Sequence, residues 1–168
     1  MRATVVVGNP RLRSRTAAAG VALAEAVLPG EVSVIELAPL GPALLSWGDA
    51  AVAEAKASVL ASDLVVVASP VYKASFTGLL KAFLDQFGRD ELGARAVVPL
   101  MVGASPAHTL AVETHLRPVL IEIGASCPTR GVYVLESQID DLAPVLDEWL
   151  SVWGAALTAV IRTTQTQT

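Results

Sequence analysis

The 168-residue chain holds one cysteine and two histidines, and only 17% of its residues are charged. A single thiol cannot close an internal disulfide; it fits a reducing, cytoplasmic setting. Cys127 itself reads as a small buried hydrophobe. Glu113 and His115 lie two apart and do not share a helix face, so no metal pair is read there and no metal site is expected. Long apolar runs are missing as well. No stretch approaches the ~18 uninterrupted apolar residues of a membrane span. The longest segment free of Lys, Arg, Asp and Glu, Ala96 to Val112, is broken by Pro99, Gly103, Pro106 and His108. It reads as strand, loop and helix start, and no membrane association is expected. Met1 and Arg2 lead straight into Thr4-Val5-Val6-Val7 with no charged region before a cleavable apolar stretch, so this segment reads as the strand that starts the fold. A net charge of −4 and a pI near 5.1 argue against a nucleic-acid partner. They also fall short of the acidity of a protein that docks by charge alone. No nucleophile–base constellation is present.

What is abundant is Ala and Val. Hydrophobic residues make up 53% of the chain and mean hydropathy is +0.55, which suits a sheet covered by helices on both faces. Apolar runs predict strands at Ala3–Val7, Val32–Leu37, Leu64–Ala68, Ala96–Val102 and Thr129–Val134. Helical periodicity alternates with them at Thr16–Val27, Gly48–Ala61, Thr77–Phe87, Ala107–Ile123 and Leu142–Arg162. Pro118 should kink the fourth helix or mark an irregular turn, because it lacks a backbone donor. The pattern is α/β: a doubly wound five-stranded parallel sheet in the order 2-1-3-4-5. One domain is expected over residues 1–162. The tail, residues 163–168, is Thr and Gln only and is expected to be disordered.

Function in such a sheet is set by the loops at the strand ends. The first strand runs into Gly8-Asn9-Pro10-Arg11-Leu12-Arg13-Ser14-Arg15-Thr16 and then a helix. A helix N-terminus offers free N–H groups and the positive end of a dipole to an anion. Asn9, Ser14 and Thr16 add donors suited to phosphate oxygens, and Arg11, Arg13 and Arg15 add charge with no acid in the loop. A helix start ordinarily prefers acids, and a bound anion would resolve the conflict. The alternative is that Ser14 or Thr16 is an N-cap and the arginines are a solvated cluster. The loop is neither G-x-G-x-x-G nor G-x-x-x-x-G-K-[ST]. A phosphoacceptor receiver domain is excluded too, since the strand ends Gly8-Asn9 and Ala68-Ser69-Pro70 lack its acids.

The third strand ends in Ser69-Pro70-Val71-Tyr72-Lys73-Ala74-Ser75-Phe76-Thr77-Gly78. Pro70 stiffens this turn, and the residues after it can present N–H groups and an aromatic ring to a flat ligand. Tyr72 serves equally well as simple packing. Lys81 and Asp85 read as an ion pair one helical turn apart. The fourth strand ends in Val102-Gly103-Ala104-Ser105-Pro106-Ala107-His108, where small residues let backbone groups approach a ring edge.

Together these segments resemble the NADPH-dependent FMN reductase family, whose members have a flavodoxin-like fold. The resemblance covers about residues 3 to 135. The Pro70-Val71-Tyr72-Lys73 form is similar to the branch that supplies flavin to two-component alkanesulfonate monooxygenases. The resemblance implies that hydride passes from NADPH to FMN and that reduced flavin leaves for a partner monooxygenase. It implies that Asn9, Arg11, Ser14, Arg15 and Thr16, with Arg13 beside them, hold the FMN phosphate. Pro70, Val71, Tyr72, Lys73 and Ser75 would line the ring, with Gly103, Ala104 and Ser105 at its edge. Leu110 to Leu120 resembles a segment where the branch carries an inserted Tyr or His in a π-bulge, the matching position being Thr114 with His115 next to it. A homodimer or homotetramer is also implied. Two alternatives remain: a reductase of quinones or azo compounds that keeps its FMN, and a flavodoxin-type electron carrier. Arg11, Arg13 and Arg15 and the modest net charge speak against the carrier.

Overall fold

Runs of Val and Ala put five parallel strands side by side: β1 (Ala3–Val7), β2 (Val32–Glu36), β3 (Leu64–Pro70), β4 (Ala96–Gly103) and β5 (Val132–Leu135). The computed structural model describes Met1–Gln165, and residues 166–168 lie outside the described residues. The sheet order is β2-β1-β3-β4-β5, as the sequence predicts. Every residue of β1, β3 and β4 is buried, whereas β2 at one edge is half-buried. A strand covered on both faces needs apolar residues at consecutive positions, and these strands have them.

The pleat divides the core in two. Val6, Val65, Val67, Val97 and Met101 face α2 (Ala50–Leu60), α3 (Gly78–Leu84) and α4 (Arg117–Glu122), where Leu80, Phe83 and Leu120 pack on them. Val5, Val7, Val66 and Val98 face α1 (Arg15–Val27) and α5 (Ala143–Gln165), meeting Leu23, Leu146 and Leu157. Each such side chain contributes roughly 1.5–3 kcal/mol when fully buried. Close approach of α1 to the sheet depends on Gly20, where a Cβ would lie 2.6 Å from Val5 Cγ1.

The register decides what can meet at the functional edge. Val7 pairs with both Glu36 and Ala68, and Ala68 pairs with Leu100. The C-terminal ends of β1, β2, β3 and β4 therefore open on one edge of the sheet. The chain reverses direction across the sheet between β1 and β3, and ligands of such sheets sit in the crevice beyond that point.

Helix boundaries moved for identifiable reasons. The second helix starts at Ala50, with Asp49 as its N-cap accepting from the N–H groups of Ala51 and Val52. The third runs only to Leu84, after which Gln86 and Phe87 bond to the carbonyls of Phe83 and Leu84 in a tighter turn. The predicted Ala107–Ile123 helix is broken into a 3-10 turn at Pro106–His108, a π-helical turn at Val112–Leu116 and α4. Pro118 follows the π-helical turn by two residues within one continuous helical segment, so the irregular turn expected at this proline is present. Two further 3-10 turns, Ala38–Leu40 and Ala43–Leu45, follow β2 and were not foreseen. The tail expected from residue 163 begins inside α5, which continues to Gln165; its last three residues lie outside the described residues.

Over Ala143–Thr163, α5 is long and apolar enough to cross a membrane by length and composition. It is also a helix of this domain, since Leu146, Leu157 and Ile161 are buried against the sheet. Only 17% of the most apolar stretch of α5 is buried, so much of its apolar surface faces outward.

Candidate functional site

Gly8 leaves β1 by donating its N–H to Ala68 O at 2.8 Å. A Cβ here would lie 2.5 Å from Leu80 Cβ, so only glycine lets the first loop pass over α3. Asn9 then organises the loop from within. Its Oδ1 accepts from Arg11 N–H at 2.9 Å and its Nδ2 donates to Thr16 Oγ1 at 3.1 Å. Ser14 is the N-cap of α1, with Oγ accepting from Ala17 N–H at 3.2 Å. Ser14 and Thr16 are buried; Arg11, Arg13 and Arg15 are exposed. Among the described residues, the backbone N–H groups of Leu12, Ser14, Arg15 and Thr16 make no hydrogen bond. Free N–H donors beside a helix N-terminus are the groups to which an anion binds.

Two acids reach this loop from elsewhere in the sequence. Glu36, at the end of β2, accepts from Arg13 N–H at 2.6 Å, and Arg13 takes a left-handed φ of 48° to make that bond. Glu136, just past β5, pairs with Arg15 at 3.0 Å. The guanidinium groups of Arg11 and Arg13 make no ion pair among the described residues. Sequence reasoning missed both acids. The strand order alone could have found Glu36, because the end of β2 must lie beside the end of β1.

The loop after β3 is more tightly built than its sequence suggests. Val71 N–H donates to Val102 O at 2.8 Å, which continues the β3–β4 pairing. Tyr72 and Ser75 then exchange two backbone bonds, of 2.8 and 3.1 Å, across Lys73 and Ala74. Those two residues have φ of 51° and 63°, the signature of a turn that ordinarily takes Asn-Gly. Holding non-glycine residues there costs on the order of 1 kcal/mol each, and such strain concentrates at functional sites. The N–H groups of Lys73 and Ala74 are left without partners among the described residues. Pro70 is buried as the last residue of β3, and Tyr72 stands 52% exposed.

Thr77 joins this loop to the first. Its Oγ1 donates to Gly8 O at 2.6 Å and accepts from Leu80 N–H at 3.1 Å, capping α3. Ser69 Oγ accepts from Thr77 N–H at 3.1 Å, which fixes the return of the chain.

After β4 the space at Gly103 is taken by Tyr133, whose hydroxyl would lie 2.0 Å from any Cβ built there. That hydroxyl donates to Ser105 O at 2.6 Å, so β5 holds the fourth loop in place. Burial, with the Glu136 carboxylate adding to it, pushes the Tyr133 hydroxyl above its ordinary pKa. Ser105 Oγ caps the following 3-10 turn through Ala107 N–H. The N–H groups of Ala104 and Ser105 are unpartnered among the described residues. Val71, Lys73 and Ala74 from the third loop face Ala104, Ser105 and His108 across a cleft of about 460 Å³. Tyr72, Ser75 and Gly103 do not line it.

The π turn beyond is anchored rather than slack. Glu113 accepts from Gly131 N–H at 2.6 Å and lies 3.7 Å from Arg117. Arg117 donates to the carbonyls of Cys127 and Thr129. Thr114 and His115 point to solvent. Among the described residues no three His, Cys, Asp or Glu side chains converge as a metal site would require.

A family model described as NADPH-dependent FMN reductase matches residues 1–140. An FMN reductase (NADPH) of Pseudomonas putida is 41% identical over 81 residues, which is 48% of this chain and 41% of that protein. A second, from Escherichia coli, is 41% identical over 80 residues, 48% of this chain and 42% of that protein. The chain thus spans about two fifths of the length of these two relatives. An NADH-dependent FMN reductase, SfnE, of Pseudomonas putida is 34% identical over 140 residues, covering 81% of this chain and 70% of that one. Among solved structures, the apo form of an NADH:FMN oxidoreductase (EMOB) is 32% identical with a TM-score of 0.79, over 96% of this chain and 89% of that one.

Proposed function

The chain belongs to the NADPH-dependent FMN reductase family, and from that premise we propose that it moves hydride from NADPH to FMN. One observation carries the reading. At three strand ends that open on one edge of the sheet, backbone N–H groups have no partner among the described residues: Leu12, Ser14, Arg15 and Thr16 in the first loop, Lys73 and Ala74 in the third, Ala104 and Ser105 in the fourth. A phosphate at one end and a polar ring edge at the other match that distribution.

In this reading the first loop holds the FMN phosphate through those N–H groups, with Arg11, Arg13 and Arg15 supplying charge. Asn9, Ser14 and Thr16 keep the loop in shape. Val71 and Tyr72 offer apolar surface to the ring, and Pro70 and Ser75 set the turn that carries them. Lys73 N–H, Ala104 N–H and Ser105 N–H donate toward the ring edge, and Gly103 admits the Tyr133 hydroxyl that holds this edge still. When bound, FMN supplies the hydride acceptor, so no protein nucleophile or general base is required. The chain's own contribution is position and a field of donors.

In this reading Arg11 and Arg13 serve the FMN phosphate, so the choice of NADPH rests on the family and on relatives such as the FMN reductases (NADPH). Curated relatives of both kinds match, so the preference is tested directly. The exposed apolar residues Leu110, Ile121 and Val152, with the outward surface of α5, support a homodimer or homotetramer. The Pro70-Val71-Tyr72-Lys73 form supports delivery of reduced flavin to a partner monooxygenase in the cytoplasm, from one FMN-binding domain over residues 1–162.

The deciding experiment is NADPH and NADH oxidation under air by flavin-stripped protein with FMN titrated from zero. A rate that requires added FMN and saturates with it supports the proposal. Flavin retained through gel filtration, with turnover only on a quinone or azo acceptor, makes FMN a resident cofactor. No oxidation with either dinucleotide at saturating FMN refutes reductase function.

A further inference from the structure

We infer that Glu136 is an internal counter-ion that competes with the FMN phosphate for Arg15 and so sets how readily flavin is released. The inference rests on the reading of the first loop as the phosphate cradle, and goes beyond it. Three arginines at a helix N-terminus are locally unfavourable, and the chain itself answers part of that conflict. Glu136 reaches across from the far side of β5, 121 residues away in sequence, to meet Arg15 at 3.0 Å. Both side chains are about half exposed, at 61% and 47%, so the pair is held without being sealed. The four unpartnered N–H groups lie on the same few residues, Arg15 N–H among them.

An incoming phosphate dianion therefore meets Arg15 already engaged. It reaches the remaining N–H groups of that guanidinium but shares the charge with Glu136, whose carboxylate stays nearby as a like charge. Glu36 differs in kind. It takes a backbone N–H and holds Arg13 in its left-handed conformation, so it shapes the loop instead of occupying a guanidinium. Glu136 takes no backbone N–H of the loop, and the chain turn after β5 is fixed by Gln138 Oε1 accepting from Leu135 N–H at 2.9 Å. A cradle with an internal rival binds its anion more weakly than its donors allow, which suits a flavin that must leave.

The test is equilibrium and stopped-flow titration of the flavin-free protein with FMN and with riboflavin, which lacks the phosphate. Wild type, E136Q, R15Q and the R15Q/E136Q double variant are compared. E136Q should bind FMN roughly threefold to fivefold more tightly, the range of an exposed ion pair, through slower release. Riboflavin affinity should not change. R15Q should weaken FMN, and E136Q should add nothing in the R15Q background, since no guanidinium remains to be freed. If wild type prefers FMN and R15Q weakens it while E136Q binds no tighter, the competition is overturned and the cradle stands. If E136Q tightens FMN equally with and without Arg15, Glu136 acts as a diffuse charge and the competition is again overturned. If FMN and riboflavin bind alike in every variant, the cradle reading itself falls.

Discussion

Replacing Thr77 by Val keeps the side-chain volume and removes one hydroxyl that does two jobs. Thr77 Oγ1 caps α3 by accepting from Leu80 N–H and donates to the buried carbonyl of Gly8. Loss of the cap costs about 1 kcal/mol. A buried carbonyl left without its donor costs a further ~1–3 kcal/mol. Gly8 cannot move to find another partner, because Leu80 is packed against it. The total of ~2–4 kcal/mol, with a urea m-value near 2 kcal/mol/M, predicts a midpoint shift of about 1–2 M. T77S preserves both bonds and should lie within about 1 kcal/mol of wild type. The variant also unties the first loop from the third, so FMN affinity should fall for T77V under conditions where it is still fully folded. The reasoning fails if T77V unfolds within 0.2 M urea of wild type, or if T77S is as damaging as T77V.

Burial pushes the Cys127 thiol from an ordinary value of 9.0 up to about 11. The unfolded chain therefore ionises this thiol first, and stability present below about pH 9 should be lost progressively toward pH 11; urea midpoints of wild type and C127A between pH 8 and 10.5 measure the difference. The same thiol should resist alkylation at pH 8 until the protein is denatured, and rapid labelling of native protein would contradict its burial. The Lys56 ammonium and Gly88 N–H hold the Glu91 carboxyl below its usual 4.5. That contribution is present above pH 4.5 and is lost as pH falls through the lower folded-state value, so E91Q should flatten the acid limb of the stability curve. An acid limb unchanged by E91Q would assign the effect to other carboxylates.

Much of the fold was legible because a parallel sheet buried on both faces writes itself as consecutive apolar residues, as in Leu64–Ala68 and Ala96–Val102. The Lys81–Asp85 pair was legible for a similar reason: both partners lie on one local turn, and they meet at 2.6 Å. Features that depend on distant partners were not. Nothing near Arg15 announces Glu136, and nothing near Gly103 announces that Tyr133 fills its space. The Lys73-Ala74 turn lacks the glycine by which such turns are recognised, so its left-handed backbone is visible only in the structure. Helical periodicity could not resolve Ala107–Ile123, because a π turn keeps the apolar residues Val112 and Leu116 inward while shifting the phase between them. Pro118 pointed to an irregular turn there, and the family resemblance to a bulge.

The shortest strand has the widest reach. Around the four residues of β5, Gly131 secures the π turn through Glu113, Tyr133 secures the fourth loop through Ser105, and Glu136 holds Arg15 of the first. Among the described residues only β4 pairs with β5, so the strand is tethered along a single side. A one-residue slip would turn Tyr133 to the opposite face and carry the other two anchors with it. β5 thus acts as a common axle: whatever tightens or loosens its seating on β4 adjusts the bulge, the ring edge and the phosphate end together.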